Sequence, residues 1–213
     1  MPLQMDVFQI KNVISRGAEA RIIEANYLGK PVYVKHRYEK KYRSKVIDQK
    51  LRQERTIQEI RLLQLAKLAK VNVPEVLDVD KTEWSITLER LDAVPIKGIM
   101  FERGHNLFLE IGRQVGILHS NNIIHGDLTT SNILVDVLGE IYFIDFGLGF
   151  VSNQIESKAV DILVLKHIVE SSHPNEARVS LELFNKGYHS SYHQSIQVLK
   201  RMIKVESRVR YKN

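Results

Sequence analysis

The sequence predicts an α+β fold in two lobes, a small antiparallel sheet with one long helix followed by a reduced, mainly helical half. Three observations carry this. Short runs of β-forming residues separated by turns fill the first part of the chain and are interrupted by a helical stretch over Leu51–Lys70. Helical spacing dominates from Asn106 onward. Between these regimes lies a compact polar stretch, residues 123–147, reading IIHGDLTTSNILVDVLGEIYFIDFG, in which two apolar arms flank a turn. The lobes are drawn as residues 1–90 and 91–213, together a single domain whose halves share a cleft.

In chain order, Val7–Ile14 and Arg21–Asn26 read as strands joined through Ser15–Ala20, and Leu28-Gly29-Lys30 turns the chain into a third strand, Pro31–Lys35. The helix over Leu51–Lys70 stops before Asn72-Val73-Pro74, because the residue ahead of a proline is pushed toward extended backbone. Val76–Asp80 and Trp84–Glu89 pair around Lys81-Thr82-Glu83. Leu107, Phe108, Ile111, Val115 and Leu118 recur at helical spacing over Asn106–Asn121. Ile123-Ile124 forms a short strand. Ile133–Val135 and Ile141–Ile144 make a hairpin about Asp136–Gly139, and helices follow at Ala159–Val169, Glu176–Gly187 and His189–Val205.

The polar stretch holds the chemistry. Asp127 sits in a loop where it can accept a proton from a hydroxyl, and Asn132, five residues on, can ligate magnesium through its amide oxygen. Asp145 ends the returning strand inside Asp-Phe-Gly, placed to bridge metal and nucleotide phosphates, with Phe146 packing beneath and Gly147 freeing the turn. Either fragment alone is common; in this order and spacing they read as a nucleotide-binding site. His125 supports the loop through backbone hydrogen bonds, and His119 is a packing or capping residue.

Upstream, Lys35 ends an alternating strand, either reaching the α and β phosphates of a nucleotide or opening a basic run. Glu59 shares an apolar stripe with Leu62, Leu63 and Ala66, and a carboxylate there demands a partner such as Lys35; the rival is Glu54 on a shifted helix. The loop Arg16-Gly17-Ala18-Glu19 can lie over phosphates, with one glycine instead of the usual three. Glu89-Arg90-Leu91-Asp92 joins the two predicted lobes, and its resemblance to the interlobe hinge of kinases implies that backbone groups of Glu89 and Leu91 meet an adenine edge. Asp161 either caps its helix or tethers the catalytic loop.

Composition narrows the class. The chain has no cysteine, which excludes a disulfide framework and thiolate zinc sites and suits a reducing compartment. No apolar run approaches the roughly 20 residues of a membrane span, and no signal-peptide pattern opens the chain, so the expectation is a cytoplasmic protein with no membrane partner. Net charge is +6 and pI about 9.4, with dense basic runs at Lys35–Lys45 and Arg208–Asn213. Such runs draw polyanions by counterion release, or are simply solvated faces.

The ordered set Arg16-Gly-Ala-Glu-Ala20, Val34-Lys35, Leu51-Arg52, Arg55-Thr56, Glu59, His125-Gly-Asp-Leu-Thr-Thr-Ser-Asn132, Asp145-Phe-Gly and Ala159-Val-Asp161 resembles one family, the small RIO-related kinase subunit of the KEOPS (EKC) complex, the bud-site-selection kinases. The resemblance implies a bilobal protein-kinase-like fold that binds ATP and Mg2+. Asp127, Lys35 and Glu59 would be catalytic, Asn132 and Asp145 would hold metal, and Arg16, Gly17, Ala18, Glu19, Lys35, Glu89, Leu91, Asn132 and Asp145 would contact the nucleotide. It further implies serine/threonine kinase and ATPase activity supporting threonylcarbamoylation of tRNA, with nuclear as well as cytoplasmic location in a eukaryote. The implied partners are a threonylcarbamoyl-transferring subunit against the C-lobe and tail, a small regulatory subunit against the N-lobe, and tRNA in the assembly. The sequence departs from ordinary protein kinases at two points: Thr129 stands where a lysine is usual, and only Leu148–Lys158 separates Asp-Phe-Gly from the next helix, leaving little peptide-docking platform. The rivals are a small-molecule kinase of the aminoglycoside or choline type and a non-catalytic nucleotide-binding scaffold.

Overall fold

A computed structural model describes residues 8–17, 19–98 and 100–210, without the side chains of 100–106 and 209–210. Ala18, Val7 and the closing Tyr211–Asn213 therefore lie outside the described residues. The chain forms two compact units, residues 1–64 with 74–91, and residues 65–73 with 92–213.

The first unit is built on a five-stranded antiparallel sheet ordered β1-β2-β3-β5-β4, from β1 (Phe8–Arg16), β2 (Arg21–Tyr27), β3 (Lys30–His36), β4 (Val76–Asp80) and β5 (Ser85–Glu89). Strand alternation sends Ile23, Ala25, Val32 and Val34 to one buried cluster. β1 is exposed along its whole length and its pairing slips twice, at Ile10/Asn12 and Val13/Ser15, the kind of irregularity that blunts a sheet edge. It also runs on through Ser15 and Arg16, because these pair with Ile22 and Arg21; the connection is thereby reduced to residues 17–20.

Helix α1 (Lys45–Leu68) starts well before Leu51. Ser44 caps it, its hydroxyl accepting from the Ile47 amide at 3.4 Å and its carbonyl from the Asp48 amide at 2.9 Å. Val46 and Ile47 point to solvent, so the opening turn carries no apolar stripe for periodicity to find. Further along, Leu62, Leu63 and Ala66 are buried.

The second unit pairs a three-stranded sheet, ordered β6-β8-β9, with four helices. Its strands are β6 (Ala93–Pro95), β8 (Ile133–Asp136) and β9 (Ile141–Phe143), while β7 (Ile123–Ile124) pairs with β10 (Phe150–Val151). The helices are α2 (Met100–Ser120), α3 (Ile155–Ser172), α4 (Ala177–Ser191) and α5 (Ser195–Arg210). Glycines let α2 and α4 approach closely: a Cβ on Gly187 would lie 1.9 Å from the Leu109 carbonyl oxygen, and one on Gly112 would lie 2.1 Å from that of Phe184. Gly187 is thus a contact residue inside α4, and the helix continues to Ser191 where the sequence suggested a stop. No helix among the described residues is long and apolar enough to cross a membrane.

Candidate active site

The second unit carries the polar loop between β7 and β8, which is anchored from beneath. Asp161, on the buried side of α3, accepts hydrogen bonds from the amides of His125 at 2.8 Å and Gly126 at 2.9 Å. It sits well inside the helix, so it tethers the loop and does not cap α3. Burial alone would raise its carboxyl, but the hydrogen bond and charge of His119, with the His125 amide, hold it below its ordinary value. His119, fully buried, bridges Asp161 at 3.3 Å and the Tyr188 hydroxyl at 2.9 Å. Burial pushes that hydroxyl upward, so it remains protonated.

His125 locks the other side. Its Nε2 lies 3.0 Å from the Ile144 carbonyl and its Nδ1 accepts from the Asp127 amide at 3.3 Å. Both contacts suit one neutral tautomer, and burial depresses its affinity for a second proton despite the pull of Asp161, Asp145 and Asp127. Phe146 is fully buried with its ring 4.5 Å from that of His125. Gly126 adopts φ +80° and a Cβ there would sit 2.2 Å from the Leu148 carbonyl oxygen, so this turn admits only glycine.

Asp127 and Asn132 come together: the Asn132 amide nitrogen donates to the Asp127 carbonyl at 3.0 Å and to its Oδ2 at 2.9 Å. With the nitrogen so used, the amide oxygen is the atom that can meet a cation. The Ile144 amide donates to the Asn132 carbonyl at 3.0 Å, which brings the chain into Asp145 beside the loop. Asp145 itself has φ 61°, an uncommon left-handed conformation that Asp tolerates better than most residues, and its Oδ1 accepts from the Gly147 amide at 3.2 Å. A carboxylate and an amide oxygen on neighbouring segments suit a magnesium ion that completes its shell with phosphate oxygens and water.

The first unit holds Lys35, whose Nζ lies 2.7 Å from Glu59 Oε1, both side chains nearly fully buried. Glu54 is exposed and, among the described residues, pairs with Lys50 on its own helix, so Glu59 is the inward carboxylate. Sequence reasoning missed a third member. Arg37, read as part of a basic run, is 3% exposed and donates to Glu59 Oε2 at 2.5 Å. The run is therefore no uniform solvated face: Arg43 lies 3.7 Å from the buried Asp48, while Tyr42 is exposed.

The loop at residues 17–20 closes through the Gly17 amide on the Ala20 carbonyl at 2.9 Å, and the Tyr38 hydroxyl donates to the Gly17 carbonyl at 2.9 Å. A Cβ on Gly17 would meet only an ordinary contact, so the hairpin itself does not demand glycine. Arg16 lies on β1 and not in this loop. The Glu19 carboxylate pairs with Arg55 and lies 4.0 Å from Arg37. Glu89 ends β5 with its amide already donated to the Glu75 carbonyl, leaving no donor there for a ligand, and Leu91 is half-buried just beyond the strand. Lys158 was also missed: buried in α3, it donates to Asn122 Oδ1 and to the Tyr192 hydroxyl, each at 2.9 Å, and so fixes the turn that enters β7. Near the tail, Arg201 pairs with Glu156, with Arg208 at 3.9 Å.

The model of the protein kinase domain family matches residues 8–173. The KEOPS complex subunit Bud32 of Pyrococcus abyssi is 42% identical over 186 residues, which cover 83% of this chain and 84% of that protein. The chain belongs to the Bud32 family of protein kinases. The EKC/KEOPS complex subunit bud32 of Dictyostelium discoideum is 38% identical over 181 residues, 80% of this chain and 72% of that protein. A probable bifunctional tRNA threonylcarbamoyladenosine biosynthesis protein of Methanothermobacter thermautotrophicus is 40% identical over 200 residues, 94% of this chain; the chain spans only 36% of that longer relative. Among solved structures, the Rio2 kinase–ADP/Mg2+–phosphoaspartate complex of Chaetomium thermophilum superimposes with a TM-score of 0.68 at 16% identity, over 98% of this chain and 73% of that one. At that identity the likeness speaks for the fold alone, and it agrees with the kinase-like α+β architecture of the Bud32 family.

Proposed function

We propose that the chain is an ATP-dependent phosphotransferase with ATPase activity, acting as a serine/threonine-type kinase subunit of a KEOPS (EKC) assembly that supports N6-threonylcarbamoyladenosine formation in tRNA. The observation that carries this reading is the loop in which Asn132 is hydrogen-bonded to Asp127 while Asp161 and His125 hold the backbone on either side. Family membership supplies the context, since related chains bear the names KEOPS subunit and threonylcarbamoyladenosine biosynthesis protein.

In this reading Asp127 orients a hydroxyl or water for in-line attack on the γ-phosphorus and takes its proton, the oxygen–phosphorus bond to the nucleoside diphosphate breaking as the new one forms. Lys35, held by Glu59, positions the phosphates, and the backbone amides of Gly17 and Glu19 would face them, with Arg16 flanking the hairpin. Leu91 would offer its amide to the adenine edge and Glu89 only its carbonyl. Asn132 and Asp145 would hold Mg2+, which supplies charge neutralisation at the β and γ phosphates. Thr129, lacking a cation, favours hydrolysis over efficient peptide phosphorylation. The partners proposed are a threonylcarbamoyl-transferring subunit against the second unit and its tail, a small regulatory subunit against the first, and tRNA. The location proposed is cytoplasmic.

The test is steady-state ATP hydrolysis with and without the transferring subunit and tRNA. Stimulation by both is the expected result. Stimulation by small alcohols instead would make the chain a small-molecule kinase, and tight ATP binding without turnover would make it a scaffold.

A further inference from the structure

Glu59 is shared. One oxygen takes Lys35 at 2.7 Å and the other takes Arg37 at 2.5 Å, and the glutamate, lysine and arginine are 1%, 5% and 3% exposed. A buried carboxylate needs one cation to be compensated, and here it has two. Arg37 reaches further: its guanidinium lies 4.0 Å from Glu19 in the β1–β2 loop, and Glu19 is paired in turn with Arg55 of α1. These contacts join three cations, Lys35, Arg37 and Arg55, to two carboxylates, Glu19 and Glu59. Arg37 Nε is buried with no partner among the described residues, so the guanidinium is held chiefly by its terminal nitrogens on these carboxylates.

We infer that Arg37 is a positioning residue for nucleotide phosphates: by occupying one oxygen of Glu59 it draws off half of that carboxylate's charge and leaves the Lys35 ammonium with a net pull on an anion. This inference rests on the proposed ATP-binding reading. A lone lysine–carboxylate pair is neutral as a unit and attracts a polyanion weakly at short range, whereas a lysine–carboxylate–arginine triad carries a full positive charge in a poorly solvated place, where charges interact more strongly than in water. The same arrangement explains a carboxylate in a loop read as facing phosphates. Glu19 would repel a triphosphate, but its charge is spent on Arg55 and Arg37.

The experiment measures dissociation constants of Mg-ATP and of adenosine, which lacks phosphates, for the full chain and two variants. Arg37→Gln lowers affinity for Mg-ATP about tenfold, as expected for loss of one charge-assisted contact, and leaves adenosine within about twofold. Arg37→Lys, which keeps the charge, restores Mg-ATP binding to within about threefold of the unaltered chain. Glu19→Gln, at a position a third exposed, is the second arm should Arg37→Gln not fold: removing a carboxylate from the group tightens Mg-ATP relative to adenosine. Equal losses for both ligands in Arg37→Gln, or an unchanged ratio in Glu19→Gln, overturn the inference and make Arg37 a purely structural residue. If the unaltered chain binds no Mg-ATP, the functional reading itself falls, a result distinct from either.

Discussion

In the proposed mechanism, activity turns on a buried carboxylate with two cations and on a loop aspartate tied to an asparagine. Because Glu59 holds Lys35, Glu59→Gln is expected to lower the turnover number for ATP roughly a hundredfold, a loss typical of removing one positioned polar group, while Glu54→Gln stays within about twofold. Equal effects would remove the assignment of Glu59. The histidine behind the loop makes a separate prediction. The unfolded chain takes up a proton on His125 near the ordinary value of 6.5, but burial depresses that value in the fold. Stability from this group is therefore complete above pH 6.5 and declines as pH falls toward the folded value. Asp161, also lowered from 3.8, adds a second loss only below that pH. The urea midpoint should start to fall below about pH 6.5, and His125→Asn should flatten the first part of the decline while sparing the second. A wild-type midpoint level down to pH 4.5 would contradict this. At this scale the sequence was informative where chemistry is local: His125, Asp127, Asn132 and Asp145 stand close along the chain in a fixed order. Arg37 and Lys158 were illegible because a cation bound for the interior looks, in a sequence, like any cation on a surface.

Elements were legible in proportion to their length and periodicity. The strands around Val32–Lys35 and Ser85–Glu89 alternate, and Leu107–Leu118 repeats at helical spacing, so both were evident. β6 and β10 were not, because a three-residue and a two-residue strand carry no period and exist only through pairing with β8 and β7. The start of α1 was missed because its opening turn is solvated, although Ser44 was available as a cap signal. Gly187 misled for a different reason: a glycine late in a helical pattern usually ends the helix, and this one instead admits the backbone of α2. That distinction can be measured. Replacing a mid-helix glycine by alanine ordinarily stabilises by about 1 kcal/mol. In Gly187→Ala the new Cβ would lie 1.9 Å from the Leu109 carbonyl oxygen, so α2 and α4 must part, and a net loss of about 2 kcal/mol in urea unfolding is expected. A gain would show that the two helices yield easily.

For the whole molecule, the α+β class and the order of its parts followed from the change of period along the chain, since sheet-forming segments come first and helices last. The grouping of residues 65–73 with the second unit did not, because it depends on contacts such as the Phe143 amide on the Asn72 carbonyl at 2.9 Å, between residues distant in sequence. A basic chain that belongs to the Bud32 family is expected to show ATP turnover that rises when the transferring subunit and tRNA are added. In the proposed mechanism phosphoryl transfer depends on the Asp145 carboxylate, two residues beyond β9. This dependence is tested most directly by comparing release of phosphate from ATP by the unaltered chain and by Asp145→Ala, purified identically and shown to unfold at similar urea concentrations. The variant is expected to fall to background; turnover equal to that of the unaltered chain would place the activity at another site or in a contaminant.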